Sequence, residues 1–174
     1  MIILINGAFG VGKTTVAEKL TSKLENSMIF DPEEVGYMLR NIVTDDIKLL
    51  HEKTDDFQDI QLWKSLTVHI AGLLKNTYGK DLIIPMTIHN KSYFHYILAG
   101  LTDIDESTYH FCLTADRETI HDRLRSRGET EGNWCFQQTE KCLTSYQDPC
   151  FQAFIQTEDL SLDEITEIIK KAVG

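Results

Sequence analysis

Three observations predict a three-layer α/β fold, with a five-stranded, mostly parallel sheet between two layers of helices. A short apolar block, Ile2 to Ile5, runs into the glycine-rich octet GAFGVGKT. Beyond it, short apolar runs alternate with longer segments whose apolar residues recur at helical spacing. No repeat, low-complexity tract or Pro/Gly/Ser linker interrupts that alternation, so the 174 residues read as one domain.

Bulk properties narrow the function classes. A chain of this length buries roughly 70% of its unfolded surface in a single core and needs no staple. Its composition, 42% hydrophobic and 25% charged with 3 prolines, is that of an ordinary globular protein. A net charge of −10 argues against nucleic acid as a partner, because backbone binding relies on many cations on one face. Against that acidic background Arg117, Arg123, Arg125 and Arg127, four of only five arginines, crowd into one stretch and point to a local anion. Cys112, Cys135, Cys142 and Cys150 lack metal-type or secretory spacing and read as reduced thiols. No 18-residue apolar run occurs, so no transmembrane segment is expected and the expected location is cytoplasmic.

The elements follow in order. Ile2 to Ile5 is a strand buried on both faces, and Val16, Leu20 and Leu24 mark one stripe of the helix after it. Met28 to Phe30 is a second strand, closed by Asp31 and Pro32, where proline suits the first turn of a helix reaching about Val43. Residues 44–56 read as polar and irregular. A long helix is predicted from Phe57 to Thr77, a third strand from Asp81 to Ile88, and a helix from Ser92 to Leu101. Tyr109 to Leu113 is a fourth strand, followed by an arginine-rich helix from Asp116 to Arg127 that Gly128 ends. Trp134 to Tyr146 reads as a helix and Phe154 to Gln156 as the last strand. Ser161 and Glu164 form a capping box that opens a C-terminal helix. Residues 117–134 are expected to act as a mobile lid. In such folds ligands bind where strands end, which places Lys13, Asp31 and the end of the third strand near one cleft.

The octet fits the pattern GxxxxGK followed by Ser or Thr, which defines a P-loop. Gly7 and Gly12 allow backbone angles that turn successive amides inward, so residues Gly7, Ala8, Phe9, Gly10, Val11, Gly12, Lys13, Thr14 and Thr15 form the expected nucleotide cradle. The helix start adds unsatisfied N–H groups, Lys13 reaches the β- and γ-phosphates, and the Thr14 hydroxyl is placed to bind Mg²⁺. The expected cofactors are ATP and Mg²⁺.

Four further residues are candidates. Arg123 and Arg127 lie four apart on one helical face and suit the neutralisation of charge on a transferred phosphoryl group. Their bland alternative is pairing with Asp116, Glu118 and Asp122, the reading preferred for Arg117 and Arg125. Asp31 follows the second strand, where a carboxylate can take a proton from an acceptor hydroxyl or hold a metal-bound water, and where it can equally cap the helix. Arg40, on that helix, is a candidate contact for an anionic part of the acceptor, against a surface salt bridge of little energetic weight. His89 reads more readily as a structural histidine. The third strand lacks the closing aspartate that orients Mg²⁺ in many P-loop ATPases, which leaves Thr14 and Asp31 on the metal side.

With strand, loop, Asp31 and RLRSRG in place, the chain resembles the small-molecule and nucleotide kinase branch of P-loop proteins. The segments INGAFGVGKT, FDPEEVGYMLR, IIPMTI, RLRSR and FIQTEDLS, spread from residue 5 to residue 161, are similar to the tunicamycin resistance protein family. That resemblance implies an ATP-binding, kinase-like fold whose bearer protects cells from tunicamycin, a lipid-tailed uridine-type antibiotic. The expected activity is ATP-dependent phosphoryl transfer to a small-molecule acceptor. Two alternatives stand beside it: a nucleotide-dependent protein that sequesters the antibiotic without chemistry, and a housekeeping nucleotide or sugar kinase.

Overall fold

The computed structural model describes residues 1–174. Five strands, β1 (Ile2–Gly7), β2 (Ser27–Ile29), β3 (Asp81–Pro85), β4 (Thr108–Thr114) and β5 (Phe154–Gln156), form one sheet in the order β2-β3-β1-β4-β5. Every pairing is parallel. The seven helices are α1 (Lys13–Lys23), α2 (Pro32–Ile42), α3 (Leu62–Tyr78), α4 (Lys91–Ile104), α5 (Arg117–Ser126), α6 (Trp134–Ser145) and α7 (Leu162–Val173). The step from β1 to β2 runs opposite to the other crossovers, so right-handed connections set α1 on one face, where it packs on α7, and α3 with α4 on the other. β1 is buried throughout because both layers cover it, which explains its unbroken apolar run.

Among the elements that depart from their expected bounds, two bear on the cleft. β3 ends at Pro85, not Ile88, although residues 86–88 stay buried. Pro85 has no N–H for the ladder, and the backbone beyond it is taken over by the buried Asn6 side chain. Its Oδ1 accepts from the Ile88 N–H at 2.9 Å and its Nδ2 donates to the Ile88 carbonyl at 3.0 Å. The predicted helix from Phe57 is split into a short 3-10 turn, Phe57–Asp59, and α3. Asp56 accepts from the Gln58 N–H at 2.9 Å and caps the turn. Buried Glu52 accepts from the amides of Leu49, at 2.8 Å, and Gln61, at 2.7 Å, tying the 44–56 stretch to the start of α3. Those amides hold the Glu52 carboxyl below its usual range. A stretch that looked irregular is therefore anchored, and it forms one wall of the cleft above the sheet.

Candidate functional site

The loop between β1 and α1 has the backbone its glycines predict. Gly12 has φ of 106° and caps α1 without a side chain, so the first amides of that helix find no internal acceptor. By contrast, Asp31, Asn90, Asp116, Asn133 and Ser161 cap α2, α4, α5, α6 and α7 with side-chain oxygens. At Gly7 an added Cβ would lie 2.6 Å from the Leu113 carbonyl oxygen, so only glycine lets β1 leave the sheet beside β4.

Lys13 is 8% exposed and donates to the Ala8 carbonyl at 2.9 Å, with its ammonium 5.5 Å from the Phe9 ring. No carboxylate pairs with it directly. Burial therefore pulls its pKa down to about 8, against the opposing field of Glu33. A buried cation left on a neutral carbonyl, under an uncapped helix start, is the donor set that a phosphate completes. Thr14 and Thr15 are exposed in the first turn of the helix. ATP fits this cradle, and the Thr14 hydroxyl fits a Mg²⁺ that keeps most of its own waters. No cluster of three or more His, Cys, Asp or Glu side chains is placed to hold a metal by itself.

Asp31 caps α2, its Oδ1 accepting from the Glu33 N–H at 2.9 Å. Glu33, two residues on, lines the open cavity, as do Asp45, Asp55 and Glu129 farther along the chain. Burial first, then the charge of Asp31, raises the Glu33 pKa, while Lys13 opposes the shift. Glu33 is not among the residues that the sequence singles out, and the one local signal for it is a second acid in the Asp31-Pro32-Glu33 helix start.

The arginines separate cleanly. Arg123 donates to the Val11 carbonyl at 3.2 Å, to Thr157 Oγ1 at 2.9 Å and to the Thr157 carbonyl at 3.1 Å, so it straps the phosphate loop to the chain after β5. Arg127 ends α5 exposed and unpaired, and its charge is felt at Lys13. Arg117 pairs with Glu140, and Arg125 with Asp122 and Glu131, as solvated ion pairs. Ile120 and Leu124 bury α5, with Leu124 touching the space beside Gly10, so the irregular part of the expected 117–134 lid is confined to the stretch between α5 and α6.

Above the sheet lies a cavity of about 1180 Å³ whose walls include Phe9, Tyr37, Phe57 and Trp134, with Glu33 and Arg40 among its charges. Phe9 meets Trp134 edge-on, with ring centroids 5.0 Å apart. Arg40 bonds to the Asp55 carbonyl and lies 5.2 Å over the Phe57 ring. Gly36 makes room for that ring, since a Cβ there would fall 2.3 Å from it. Of the residues singled out from sequence, Arg40 and Phe9 line the cavity, whereas Lys13, Thr14, Asp31, Arg123 and Arg127 lie outside its lining.

A parallel β2-β3-β1-β4-β5 sheet with a phosphate loop after β1 and a cleft above the strand ends defines a P-loop protein of kinase-like fold. The AAA domain family matches residues 3–142. The tunicamycin resistance protein of Deinococcus radiodurans is 31% identical, with a TM-score of 0.81 over 99% of this chain and 95% of that one. The chain belongs to the tunicamycin resistance protein family within the AAA domain P-loop proteins. The fold alone is shared with a sugar kinase from Janibacter sp., at 16% identity and TM-score 0.67 over 98% of this chain and 92% of that one. It is shared as well with shikimate kinase from Acinetobacter baumannii, at 13% identity and TM-score 0.63 over 99% and 92%. No curated protein sequence matches. No helix is long and apolar enough to cross a membrane.

Proposed function

We propose that the protein is an ATP-dependent phosphotransferase that uses Mg²⁺ and acts on a hydroxyl of a small molecule held in the aromatic cavity. The observation that carries this reading is the pairing of a buried, carboxylate-free Lys13 with a neighbouring Glu33 of raised pKa facing that cavity. Bound Mg·ATP supplies the transferred phosphoryl group. The amides of Gly7 to Thr15 and the Lys13 ammonium hold its terminal phosphates, and the Thr14 hydroxyl offers the metal one protein ligand. Glu33 takes the proton from the acceptor hydroxyl; Asp31, by fixing the Glu33 N–H, positions that carboxylate, and its second oxygen, which makes no bond within the protein, would hold a metal-bound water. Arg127 moves over the loop to neutralise charge on the phosphoryl group, Arg123 holds the loop in shape, and Arg40 meets an anionic part of the acceptor. The stretch between α5 and α6 closes over both sites. Reduced thiols at all four cysteines and the demand for ATP fit a cytoplasmic protein.

Tunicamycin is the first acceptor to try, because the Deinococcus relative is a tunicamycin resistance protein. Mass spectrometry of tunicamycin incubated with the protein and Mg·ATP is expected to show a gain of one phosphoryl group. Glu33→Gln is expected to slow that gain by roughly 10²- to 10⁴-fold. The end of β3, which runs into Pro85 and Met86 with no carboxylate to orient the metal, favours a second reading, nucleotide-dependent sequestration without transfer. Under that reading tunicamycin is recovered unmodified in stoichiometric complex. Transfer to common sugars or nucleosides and none to tunicamycin would instead identify a housekeeping kinase.

A further inference from the structure

Behind Trp134 the aromatic cavity opens into a second one of about 330 Å³, with which it shares Thr54, Asp55 and Trp134. Its chemistry is different. Two of its 12 lining residues are hydrophobic, and the walls come from the 54–59 stretch, the end of the β3 segment at His89 and Asn90, and α6. That volume suits one ring-sized group.

The free valences of this pocket can be counted. Gln138 is 5% exposed, lines the cavity and has no hydrogen-bond partner within the protein, so a buried amide offers both a donor and an acceptor to whatever sits there. His89 is half-buried and also unpaired. Burial lowers its pKa, so near neutral pH the ring presents one donor and one acceptor. Asn90 spends its oxygen capping α4 and keeps its NH₂. Two of the three carboxylates are partly committed, while Asp55 is bonded only through its backbone carbonyl. Asp59 accepts from Thr54 Oγ1 at 2.7 Å and from the Tyr93 hydroxyl at 3.1 Å, and Asp56 accepts from the Gln58 N–H, leaving one Asp56 oxygen. With Asp55, Asp56 and Asp59 around the pocket against Lys141, an anionic guest is repelled. These carboxylates do not converge into a group that could hold a metal ion.

We propose that this second pocket is a subsite for an uncharged polyhydroxyl ring of the acceptor, read by the Gln138 amide together with Asp56, His89 and Asn90. It extends the phosphotransferase reading, on which it rests for the identity of the acceptor site. The acceptor would lie across Trp134, with its reacting hydroxyl toward Glu33 and its polar ring in the amide-lined pocket.

The test uses three pyranose probes that differ chiefly in charge: glucose, glucuronate and glucosamine. Each is titrated by ligand-observed saturation-transfer NMR into the whole protein, with and without Mg²⁺ and a non-hydrolysable ATP analogue. Glucose is expected to bind in the millimolar range and to compete with the acceptor. Gln138→Leu should weaken glucose by about 10-fold, through the amide it removes. Gln138→Glu, which keeps the size but loses the donors, should weaken it as well. Both variants should keep the wild-type thermal shift with Mg·ATP, which reports that the fold is intact. Glucuronate binding as well as glucose, glucosamine binding ten times better, or glucose binding unchanged in Gln138→Leu would overturn the proposal. So would an absence of sugar binding in protein that still responds to Mg·ATP, an outcome that leaves the phosphotransferase reading standing. Glucose bound by protein that ignores Mg·ATP would sink the phosphotransferase reading and spare the subsite.

Discussion

The two edges of the sheet treat their polar groups in opposite ways. At the amino edge, charges are matched: Lys75 reaches Asp105 at 2.8 Å, and the amino group of Met1 reaches Asp81 at 2.7 Å and Asp105 at 2.6 Å. Burial opposes ionisation of Asp105, but its bonds to Lys75 and the amino group outweigh that and hold its carboxyl far below the usual range. At the carboxyl edge Lys13 rests on a neutral carbonyl, Glu33 carries a raised pKa, and Gln138 and His89 have no partner in the protein. Buried polar groups are normally satisfied. Where one edge satisfies them and the other leaves them open, the open edge is the one prepared for ligands, and the closed edge carries stability.

The largest expected effect comes from Lys13. In Lys13→Ala the affinity for Mg·ATP should fall at least about 100-fold, seen by calorimetry and by loss of the nucleotide-induced thermal shift. The protein without nucleotide should be no less stable at pH 7, because burying the ammonium disfavours folding. An unaltered thermal shift with Mg·ATP would remove the loop from the mechanism. At the opposite edge, Lys75→Met should do the reverse. It leaves Asp105 short of a partner, which should cost roughly 2 kcal/mol and lower Tm by about 4–8 °C, with nucleotide affinity unchanged. If Lys75→Met weakened nucleotide binding, the division of labour between the edges would fail.

The arginines sharpen the contrast within one helix. Arg123→Ala should lower both Tm and nucleotide affinity, by about 1–2 kcal/mol and several-fold, because three hydrogen bonds to the loop and Thr157 are lost. Arg127→Ala should leave Tm unchanged and reduce kcat, whereas Arg117→Ala and Arg125→Ala should shift stability by less than about 0.5 kcal/mol and leave kcat alone. Equal kcat losses at Arg123 and Arg127, with Tm unchanged in both, would mean that the strap to Thr157 contributes nothing.

The smallest effect is a proton count. The unfolded chain keeps the Lys13 proton up to about 10.5, and the folded one releases it near 8, so this group makes the protein more stable as pH rises between those values. A bound phosphate reverses the preference. Mg·ATP binding at pH 8 should therefore take up a fraction of a proton, measured by calorimetry in buffers of different ionisation enthalpy, and affinity should decline above that pH.

How much of this was legible in the sequence depends on how far apart the deciding residues lie. The phosphate loop, the capping box at Ser161 and the apolar strands are set by neighbours within a few positions, and the structure has them where the sequence predicts. The end of β3 was not legible, because Asn6 diverts it from across the sheet. Nor was the break before α3, which depends on Glu52 reaching Gln61. Arg123 was legible as a residue near phosphate, but its partner Thr157 belongs to another element, so its role as a strap was not. Asp31 drew attention as the acid after β2. Its alternative role as a helix cap was equally legible, and the fold has that cap; only the fold shows that Glu33 lines the cavity.

Asn6 carries one more consequence. Its Oδ1 accepts from the Gly7 N–H at 2.8 Å, the Ile88 N–H at 2.9 Å and the Tyr146 hydroxyl at 3.1 Å, so three distant segments hang from a single atom. That joint welds the floor of the phosphate cup to the residue just past the helix walling the acceptor pockets. Neither can slide past the other when a ligand arrives. The short span joining α5 and α6 has no such joint; its side chains are tied only to near neighbours, Glu131 to Arg125 and Asn133 to Glu129.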